Sequence, residues 1–378
     1  MNISTHTVTS PISMEHDIIE IACFITPHGF GHATRMTAVL EALQKQSPTI
    51  HPHLFTTVPE SLFAETLSNF SYHSLACDIG LIQKNGLQAD LPATISRLQE
   101  FLPFDSSLVK ELSEKIKGSR LVLCDIAPLG IAVAREAGIT SVLIENFTWD
   151  WIYKAYLPDN PALLPFIESF ATHYKQVDLH IRTEPACSTG NTDLNCGPIF
   201  RNIRSQREKT RDKLNCRNKK LIIISMGGID LELPFVNKLP AVSDSFFLLA
   251  GQKKTRQIGD NVLLLSRDSA FYHPDLINAA NLVICKSGYS TVAECYQAGV
   301  PIVTVGRTTF PESAVLEQFC AARLNGHTLR QEAFLSGEWI KSLDKLCLNQ
   351  RAVPALTNGA DSVAELLLCH LGKKFLIK

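Results

Sequence analysis

The amino-acid sequence predicts an α/β protein of two domains, each a sheet of mostly parallel strands wound with helices. From Ile18 onwards, short apolar runs alternate with segments of helical periodicity, which is typical of βαβ units. The 378 residues are 45% hydrophobic, enough to fill more than one core. Two such series flank a polar stretch rich in Lys and Arg, which indicates a linker between two domains.

The predicted domain plan follows these two series. The first 17 residues are polar and are expected to form a flexible tail. The plan places an N-terminal Rossmann-like domain at 18–195, a linker at 196–219, a C-terminal Rossmann-like domain at 220–358 and a C-terminal helix at 359–378. That last helix either extends the second domain or returns to the first.

The individual elements follow from the same alternation. In the first domain we predict strands at 19–26, 53–57, 120–124, 140–145 and 178–182, with helices at 32–45 and 129–137. In the second we predict strands at 220–225, 245–250, 261–265, 281–285 and 301–305, with helices at 273–280, 288–298 and 312–323. Ligands of open α/β sheets bind at the carboxyl ends of the strands, so the chemistry is expected in a cleft between the two sheets.

Composition removes several classes of function. The 36 Lys and Arg nearly balance the 37 Asp and Glu, so no long-range attraction to nucleic acid is expected. Eleven scattered Cys, an odd number without metal-ligand spacing, indicate reduced thiols, a cytoplasmic protein and no metal site. No apolar run is long enough to span a membrane. The basic stretches 201–220 and 373–378 leave a peripheral membrane contact open, although a solvated connector and a frayed terminus explain them better.

The first glycine turn is ITPHGFGHATR, residues 25–35, between a predicted strand and a predicted helix. Gly29 and Gly31 permit a tight turn and close backbone approach, and the helix directs its positive end at whatever fills the turn. His28 and His32 lie at the mouth of that helix and are candidate proton acceptors. From these residues alone, a purely structural turn is an equal alternative.

The second glycine turn, ISMGGIDLELP, follows the first strand of the second domain. The backbone amides of Gly227 and Gly228 are suited to holding a phosphate, because no side chain covers them. A structural turn explains the same residues equally well.

The third turn, CKSGYSTVAE, is the most informative. A buried strand leads into Lys286, Ser287 and Gly288, and a helix begins near Tyr289. Glu294 lies roughly 9 Å along that helix from its N-terminus. A phosphate at the helix end and a ribose diol on the carboxylate would fit this distance, while a solvent-facing helical Glu is the alternative.

Taken together, the turns resemble the GT-B glycosyltransferase superfamily, in particular peptidoglycan lipid-intermediate N-acetylglucosaminyltransferases and UDP-glycosyltransferases. Gly31-His32 is similar to the family's Gly-His turn, and Gly227-Gly228 to its glycine pair. The sugar-nucleotide motif R-S-G-x-x-T-V-x-E is matched by 286–294, so the resemblance implies donor contacts by Lys286, Ser287, Gly288, Thr291 and Glu294. GHATR and K-x-G-Y-x-T-V-A-E also resemble predicted glycosyltransferases that include the N-terminal half of plant arabinokinase-like proteins.

The resemblance implies a nucleotide-sugar donor, with UDP as the expected carrier, and assigns the base. His32 would take the acceptor proton and Asp125 would orient its ring, with His28 in reserve. Asp125 follows the apolar strand LVLC, so both residues are expected at the same carboxyl edge. The physical logic is that neutral His32 accepts the proton while Asp125 holds the tautomer and stabilises the imidazolium.

Departures from the family pattern refine the expectation. A His-Gln pair common in the family is absent, which leaves Arg307, Glu312 and Gln318 as substitutes for sugar contacts. Retaining members carry a Glu where this chain has Lys286, so an inverting mechanism is expected. No Asp-x-Asp occurs, and a metal-independent reaction is expected in which Lys286 and helix ends stabilise the leaving diphosphate. The sugar nucleotide is a substrate, and no cofactor is expected.

The acceptor is expected in the first domain. Trp149 and Trp151 follow a predicted strand and are candidates for the wall of an acceptor site, although core packing explains such aromatics equally well. The acceptor is a sugar, a lipid or a small molecule on these grounds. Two other functions stay open: a UDP-sugar 2-epimerase on the same fold, and a non-catalytic nucleotide-sugar-binding protein.

Overall fold

The computed structural model describes residues 18–85, 87–227, 233–307, 309–348 and 350–372. The predicted tail at 1–17 and the basic terminus at 373–378 lie outside these ranges. The strands of the N-terminal half are β1 Ile19–Ile25, β2 Ile50–Thr56, β3 Ser71–Ser74, β4 Gln83–Asn85, β5 Gln88–Ala89, β6 Leu121–Asp125, β7 Ser141–Glu145, β8 Leu179–Thr183 and β9 Leu194–Cys196. Its helices are α1 Phe30–Gln46, α2 Glu60–Ala64, α3 Leu91–Phe101, α4 Ser106–Lys115, α5 Pro128–Ala137, α6 Trp149–Lys154 and α7 Leu164–Tyr174, with a 3₁₀ turn at Pro161–Leu163.

The second half has the same alternation. Its strands are β10 Lys220–Ser225, β11 Ser245–Gln252, β12 Arg256–Ile258, β13 Val262–Ser266, β14 Leu282–Lys286, β15 Ile302–Val305 and β16 His327–Leu329. Its helices are α8 Arg207–Lys213, α9 His273–Ala279, α10 Tyr289–Ala298, α11 Glu312–Leu324, α12 Gln331–Ser336, α13 Leu343–Cys347 and α14 Gly359–His370, with 3₁₀ segments at Pro234–Ala241 and Glu338–Ser342.

The N-terminal sheet has the strand order β3-β2-β1-β6-β7-β8-β9, and all its strands are parallel. Apolar clusters cover both faces, as a parallel sheet between two helical layers requires. The chain leaves β1 on one side through β2 and β3 and returns on the other side at β6. The border of β1 and β6 is therefore a topological switch point, where the loops diverge and open a crevice.

The C-terminal sheet repeats this plan in the order β12-β13-β11-β10-β14-β15-β16. Among the described strands of this sheet, β12 alone is antiparallel to its neighbour. The switch point of this sheet lies between β10 and β14. The prediction of two parallel α/β sheets is confirmed. The sequence missed the edge strands β3, β9, β12 and β16 because each has three or four residues, many of them half-exposed and polar, too short for a clear alternation.

Several connections join the halves. Helix α14 packs on α1 and contributes its apolar face to an N-terminal core cluster. The β4–β5 hairpin of the first half inserts Leu87 into the core of the second half. Arg201 of the predicted linker bonds Glu65 of the first half and Glu294 of the second.

The basic stretch 201–220 is largely engaged within the protein. Arg204 donates to the carbonyl of Glu65, and the buried Arg211 donates to several backbone carbonyls, including that of Ala279. These contacts within the protein account for some of the basic residues of 201–220, so a membrane contact is not needed to explain them. None of the helices in the described part of the chain is long and apolar enough to cross a bilayer.

Candidate functional site

The two switch points face each other across one cavity of about 470 Å³. Its lining comes from the turn after β1, the loop before β4, and the ends of β10, β14 and β15. A second cavity of about 230 Å³ adjoins it and extends towards α9. Gly227, Ser290 and Thr291 line both cavities, so the two form one continuous cleft.

The predicted His32–Asp125 couple is formed on the N-terminal wall. His32 Nδ1 lies 2.7 Å from Asp125 Oδ1, and the ring lines the cavity although it is only 7% exposed. Because a carboxylate only accepts hydrogen bonds, Nδ1 carries the hydrogen that Asp125 receives. The lone pair of the neutral ring is then on Nε2, the nitrogen that a general base must use.

Arg35 is the site residue that the sequence analysis missed. Its Nε donates to Asp125 Oδ2 at 2.8 Å and its NH2 group donates to Asp125 Oδ1 at 2.6 Å, a bidentate pair with 1% of the Arg exposed. Burial alone would raise the pKa of Asp125, but Arg35 and His32 hold that pKa below its ordinary value. The only signal was the spacing, since Arg35 follows His32 by one helical turn and shares its face.

The NH2 group of Arg35 also lies 3.0 Å from His32 Nδ1. Both nitrogens carry hydrogens, so this short distance is not a hydrogen bond. It results from the convergence of both donors on Asp125 Oδ1. The site is therefore a His–Asp–Arg cluster in which the aspartate is shared.

His28, the reserve candidate, has a different environment. It stacks on Phe310 at 5.8 Å between ring centroids and contacts the edge of Trp149 at 5.0 Å. Burial, followed by the nearby His32, Lys286 and Arg307, lowers its pKa well below the ordinary value. Among the described residues no carboxylate bonds to the His28 ring; its Nε2 instead lies 3.4 Å from the amide nitrogen of Gln83.

The opposite wall carries positive charge. Lys286, at the end of β14, lines the cavity, and no described residue makes a hydrogen bond or ion pair with its ammonium. Burial, with Arg307 as the next cause, lowers the pKa of Lys286 to about 7. Gly227 has φ 76° and would place a Cβ 2.6 Å from Lys286 Cε, so glycine gives this side chain its room.

The N-termini of two helices meet at the same place. Gly29 precedes α1 with φ 75°, and Gly288 precedes α10. A Cβ on Gly31 would lie 3.8 Å from the backbone nitrogen of Ser290, which shows how closely the two helix ends approach. Both positive helix ends and Lys286 therefore surround one space, an arrangement suited to an anion.

Arg307 and Glu312 line the cavity as well, but their groups are partly engaged. Arg307 NH2 donates to the Ser287 carbonyl and lies 3.8 Å from Glu312 Oε2, while burial lowers its pKa. Glu312 Oε1 accepts from Asn146 Nδ2 at 2.8 Å, a bond between the two halves. Arg307 Nε is buried and has no hydrogen-bond partner among the described residues.

Two predicted donor contacts lie behind the cavity wall. Ser287 is buried and donates its hydroxyl to Glu317. Glu294 is 2% exposed and lines neither cavity, because Arg201 and His273 bind both of its oxygens at 2.5 to 3.2 Å. Burial alone would raise the pKa of Glu294, but these two partners lower it. Its partners come from the linker and α9, distant segments that the local motif could not reveal.

The predicted acceptor wall of Trp149 and Trp151 is not formed. Trp149 is fully buried and donates its indole N–H to Asp78, while Trp151 packs on the helical layer behind the sheet. The described cavity is lined instead by Phe30 and Tyr289, at the starts of α1 and α10, and by Phe147 and Phe310 in loops. Gly228 lies outside the described residues. Within the described ranges, no group of three or more His, Cys, Asp or Glu side chains is arranged to hold a metal ion.

Comparison with known proteins agrees with this geometry. Residues 250–334 match the sequence model of the glycosyltransferase family 28 C-terminal domain. Over 94% of the chain, the structure is similar to the calicheamicin glycosyltransferase CalG4, with a TM-score of 0.64, 14% identity and 98% of that protein covered. It is also similar to MurG of Acinetobacter baumannii, with a TM-score of 0.53, 16% identity and 93% and 99% of the two chains covered.

A third solved structure, Medicago truncatula UGT71G1 complexed with UDP-glucose, has a TM-score of 0.57 and 11% identity, with 93% of each chain covered. The chain has the GT-B fold. The family 28 domain and these neighbours support a glycosyltransferase enzyme. The curated L-arabinokinase of Arabidopsis thaliana is 25% identical over 366 residues, 94% of this chain, but the chain spans only 35% of that relative.

Proposed function

We propose that the protein transfers a sugar from a nucleoside diphosphate, expected to be UDP, to a hydroxyl group of an acceptor, with inversion at the anomeric carbon. The observation that carries the proposal is the pairing of unlike walls across one cavity. His32 with its orienting Asp125 supplies a proton acceptor on one wall. Lys286 and the N-terminus of α10 supply an anion site on the other.

The proposed step is a single displacement. Nε2 of His32 accepts the proton of the acceptor hydroxyl while that oxygen attacks the anomeric carbon. The bond between the anomeric carbon and the phosphate oxygen breaks, and its electron pair leaves with the nucleoside diphosphate. Lys286 and the α10 N-terminus stabilise the negative charge that develops there, and Asp125 stabilises the imidazolium.

The nucleoside is proposed to occupy the second cavity. Thr291 and Gly227 line both cavities, which supports a position for them between the diphosphate and its nucleoside. The preference for uracil follows from resemblance, since neighbours of the same fold were solved with UDP or UDP-glucose. Because the chain itself supplies positive groups at the phosphate site, we propose that no divalent ion and no cofactor take part.

The acceptor is proposed to enter beside the loop that precedes β4. Ile79, Leu81 and Ile82 line that side with Phe147, so an apolar surface of the acceptor would be covered there. Sugars, lipids and small molecules with such a surface all remain candidates. The eleven Cys are unpaired in the structure, which supports the proposal of a cytoplasmic protein.

Two alternatives are weaker on the same geometry. An epimerase of this fold would need several acidic groups around the sugar, whereas Glu312 is the one acidic residue among the described residues that line the first cavity. A protein that only binds the sugar nucleotide has no use for a buried, oriented His–Asp couple.

The test begins with a panel of UDP, GDP, ADP, TDP and CMP, scored by thermal shift and calorimetry. We expect one diphosphate to bind, and its sugar conjugates then to react with a hydroxyl acceptor in the presence of EDTA. NMR of the product should show inverted anomeric configuration. Formation of an epimer without acceptor would replace the proposal with an epimerase, and binding without turnover over a broad acceptor panel would favour a sensor.

A further inference from the structure

Asn146, the first residue after β7, joins the two halves of the protein behind the N-terminal wall of the cavity, next to the His–Asp–Arg cluster. It is fully buried and does not line the cavity. Its Oδ1 accepts from Arg35 NH1 at 2.6 Å, and its Nδ2 donates to Glu312 Oε1 at 2.8 Å. A side chain of the C-terminal half therefore reaches the His–Asp–Arg cluster through a single amide.

Arg35 is held from both sides. The Asp125 carboxylate binds its Nε and NH2 groups, while Asn146 binds its NH1 group. The ring of Tyr289, from the C-terminal half, lies 4.9 Å from the guanidinium carbon, and the Tyr289 hydroxyl bonds Thr183 of the N-terminal half at 2.8 Å. The position of this buried cation thus depends on groups from both halves.

We propose that Asn146 and Glu312 are positioning residues that keep the His32–Asp125 couple in its catalytic arrangement only while the two halves are in contact. The inference rests on the proposed function where it calls His32 the base. Glu312 lies between Asn146 and Arg307, at the first turn of α11, so its carboxylate is itself fixed on both sides. The chain of contacts runs from Glu312 through Asn146 and Arg35 to Asp125.

The physical reason is the sharing of Asp125. His32 Nδ1 and Arg35 NH2 both donate to Asp125 Oδ1. A shift of Arg35 therefore changes both the space around the imidazole and the electrostatic field that acts on it. Without the Glu312 acceptor, the buried Nδ2 of Asn146 lacks a partner, and the amide turns or takes up water to satisfy it. Arg35 then loses the restraint on NH1, and its NH2 group, which lies 3.0 Å from His32 Nδ1, is free to donate to that nitrogen in place of Asp125 Oδ1, which favours the tautomer with hydrogen on Nε2.

The experiment uses the full-length protein labelled with ¹⁵N-histidine. Long-range ¹H–¹⁵N spectra report which ring nitrogen carries the hydrogen, and His32→Gln assigns the signal. We expect the Nδ1–H tautomer in wild type and in Glu312→Gln, whose side-chain carbonyl still accepts from Asn146. We expect averaged tautomers in Glu312→Ala and in Asn146→Ala. The exposed Glu332 on α12 provides the control, because Glu332→Ala should leave the spectrum unchanged.

Kinetics give the second readout. Glu312→Ala should lower kcat at least tenfold more than Glu312→Gln does, because the loss concerns the arrangement of the base. The double variant Asn146→Asp with Glu312→Gln exchanges donor and acceptor and should recover the wild-type tautomer. A wild-type tautomer in Glu312→Ala, or an effect confined to the donor KM, would overturn the inference and leave Glu312 as a sugar contact.

Failure of the proposed function is visible separately. If no acceptor is ever glycosylated but Glu312→Ala still gives averaged His32 tautomers, the positioning role of Asn146 and Glu312 is supported and the transferase proposal fails. If transfer occurs and the tautomer never responds, the transferase stands and the positioning role fails. Should Asn146→Ala not fold, Glu312→Ala decides alone, because Glu312 lies at the start of a helix that retains its other packing contacts.

Discussion

The switch point of the first sheet, at the carboxyl ends of β1 and β6, corresponds to that of the second sheet, at the carboxyl ends of β10 and β14. They differ in how their charges are satisfied. In the first half Asp125, Arg35 and His32 saturate one another in a buried cluster. In the second half Lys286 has no hydrogen-bond or ion-pair partner in the described chain.

This difference indicates which wall has its charged groups paired within the protein and which is suited to binding an anion. A saturated cluster fixes geometry and tautomer before any substrate binds, as a general base requires. An unsatisfied, half-buried cation is costly in the free protein and gains most when an anion arrives. In the proposed reaction the two walls therefore have separate roles, proton transfer on the first and anion binding on the second.

The largest effect should come from breaking the saturated wall at its reactive atom. We expect His32→Ala to lower transfer by about 10²–10⁴-fold, because no other described ring in the cavity has a nitrogen oriented by a carboxylate. Nucleotide affinity should change little, since His32 lies across the cavity from the phosphate site. Initial rates and calorimetry measure the two quantities.

His28→Ala provides the comparison for that variant. His28 lacks a carboxylate partner, so its loss should affect acceptor KM through packing on Phe310 and reduce kcat less. A larger fall of kcat in His28→Ala than in His32→Ala would assign the base to His28 instead.

The second-largest effect should be a pH dependence of stability caused by Asp78, which differs from Asp125 although both carboxyl groups are buried in the first half. Asp78 accepts from Thr26 and Trp149 but has no cation, and burial raises its pKa to about 7. Asp125 has a cation, and its pKa is lowered. Folded Asp78 holds a proton that the unfolded chain, with an Asp pKa of about 3.9, has lost, so its contribution to stability falls as pH rises from about 4 to 7.

The size of that fall follows from the pKa shift. Three pKa units at 1.36 kcal/mol each correspond to on the order of 4 kcal/mol, complete above about pH 7. Asp78→Asn should remove this pH dependence from urea unfolding curves, because an amide can donate to Thr26 and accept from Trp149. The exposed Asp361→Asn serves as control. An unchanged pH profile in Asp78→Asn would show that Asp78 is already ionised in the folded protein.

The sequence indicated which residues would meet at the switch points but not their partners, for a physical reason. His32, Asp125 and Lys286 follow apolar strands, and the carboxyl ends of parallel strands meet at one edge of a sheet. Arg35 was missed because a helical Arg is ordinarily exposed, and only tertiary structure brings Asp125 and Asn146 to it. The local motif placed Glu294 at the ligand, whereas Arg201 and His273 occupy its oxygens.

The smallest effect should come from the unsatisfied wall. We expect Lys286→Met to weaken binding of the nucleoside diphosphate by about 10–100-fold while leaving the free energy of unfolding unchanged or higher, since it removes a desolvated cation without a partner. Because the pKa of free Lys286 is about 7, wild-type affinity should fall as pH rises above 7, by up to about tenfold per pH unit. Lys286→Arg should bind with little pH dependence over that range.

The exposed Lys345→Met is the matched control for Lys286→Met. Arg35→Met is the contrast, because it should lower the free energy of unfolding by leaving Asp125 without its cation. Loss of stability in Lys286→Met, or affinity independent of pH in wild type, would mean that Lys286 is already satisfied, and the contrast between a wall with paired charges and a wall suited to binding an anion would not hold.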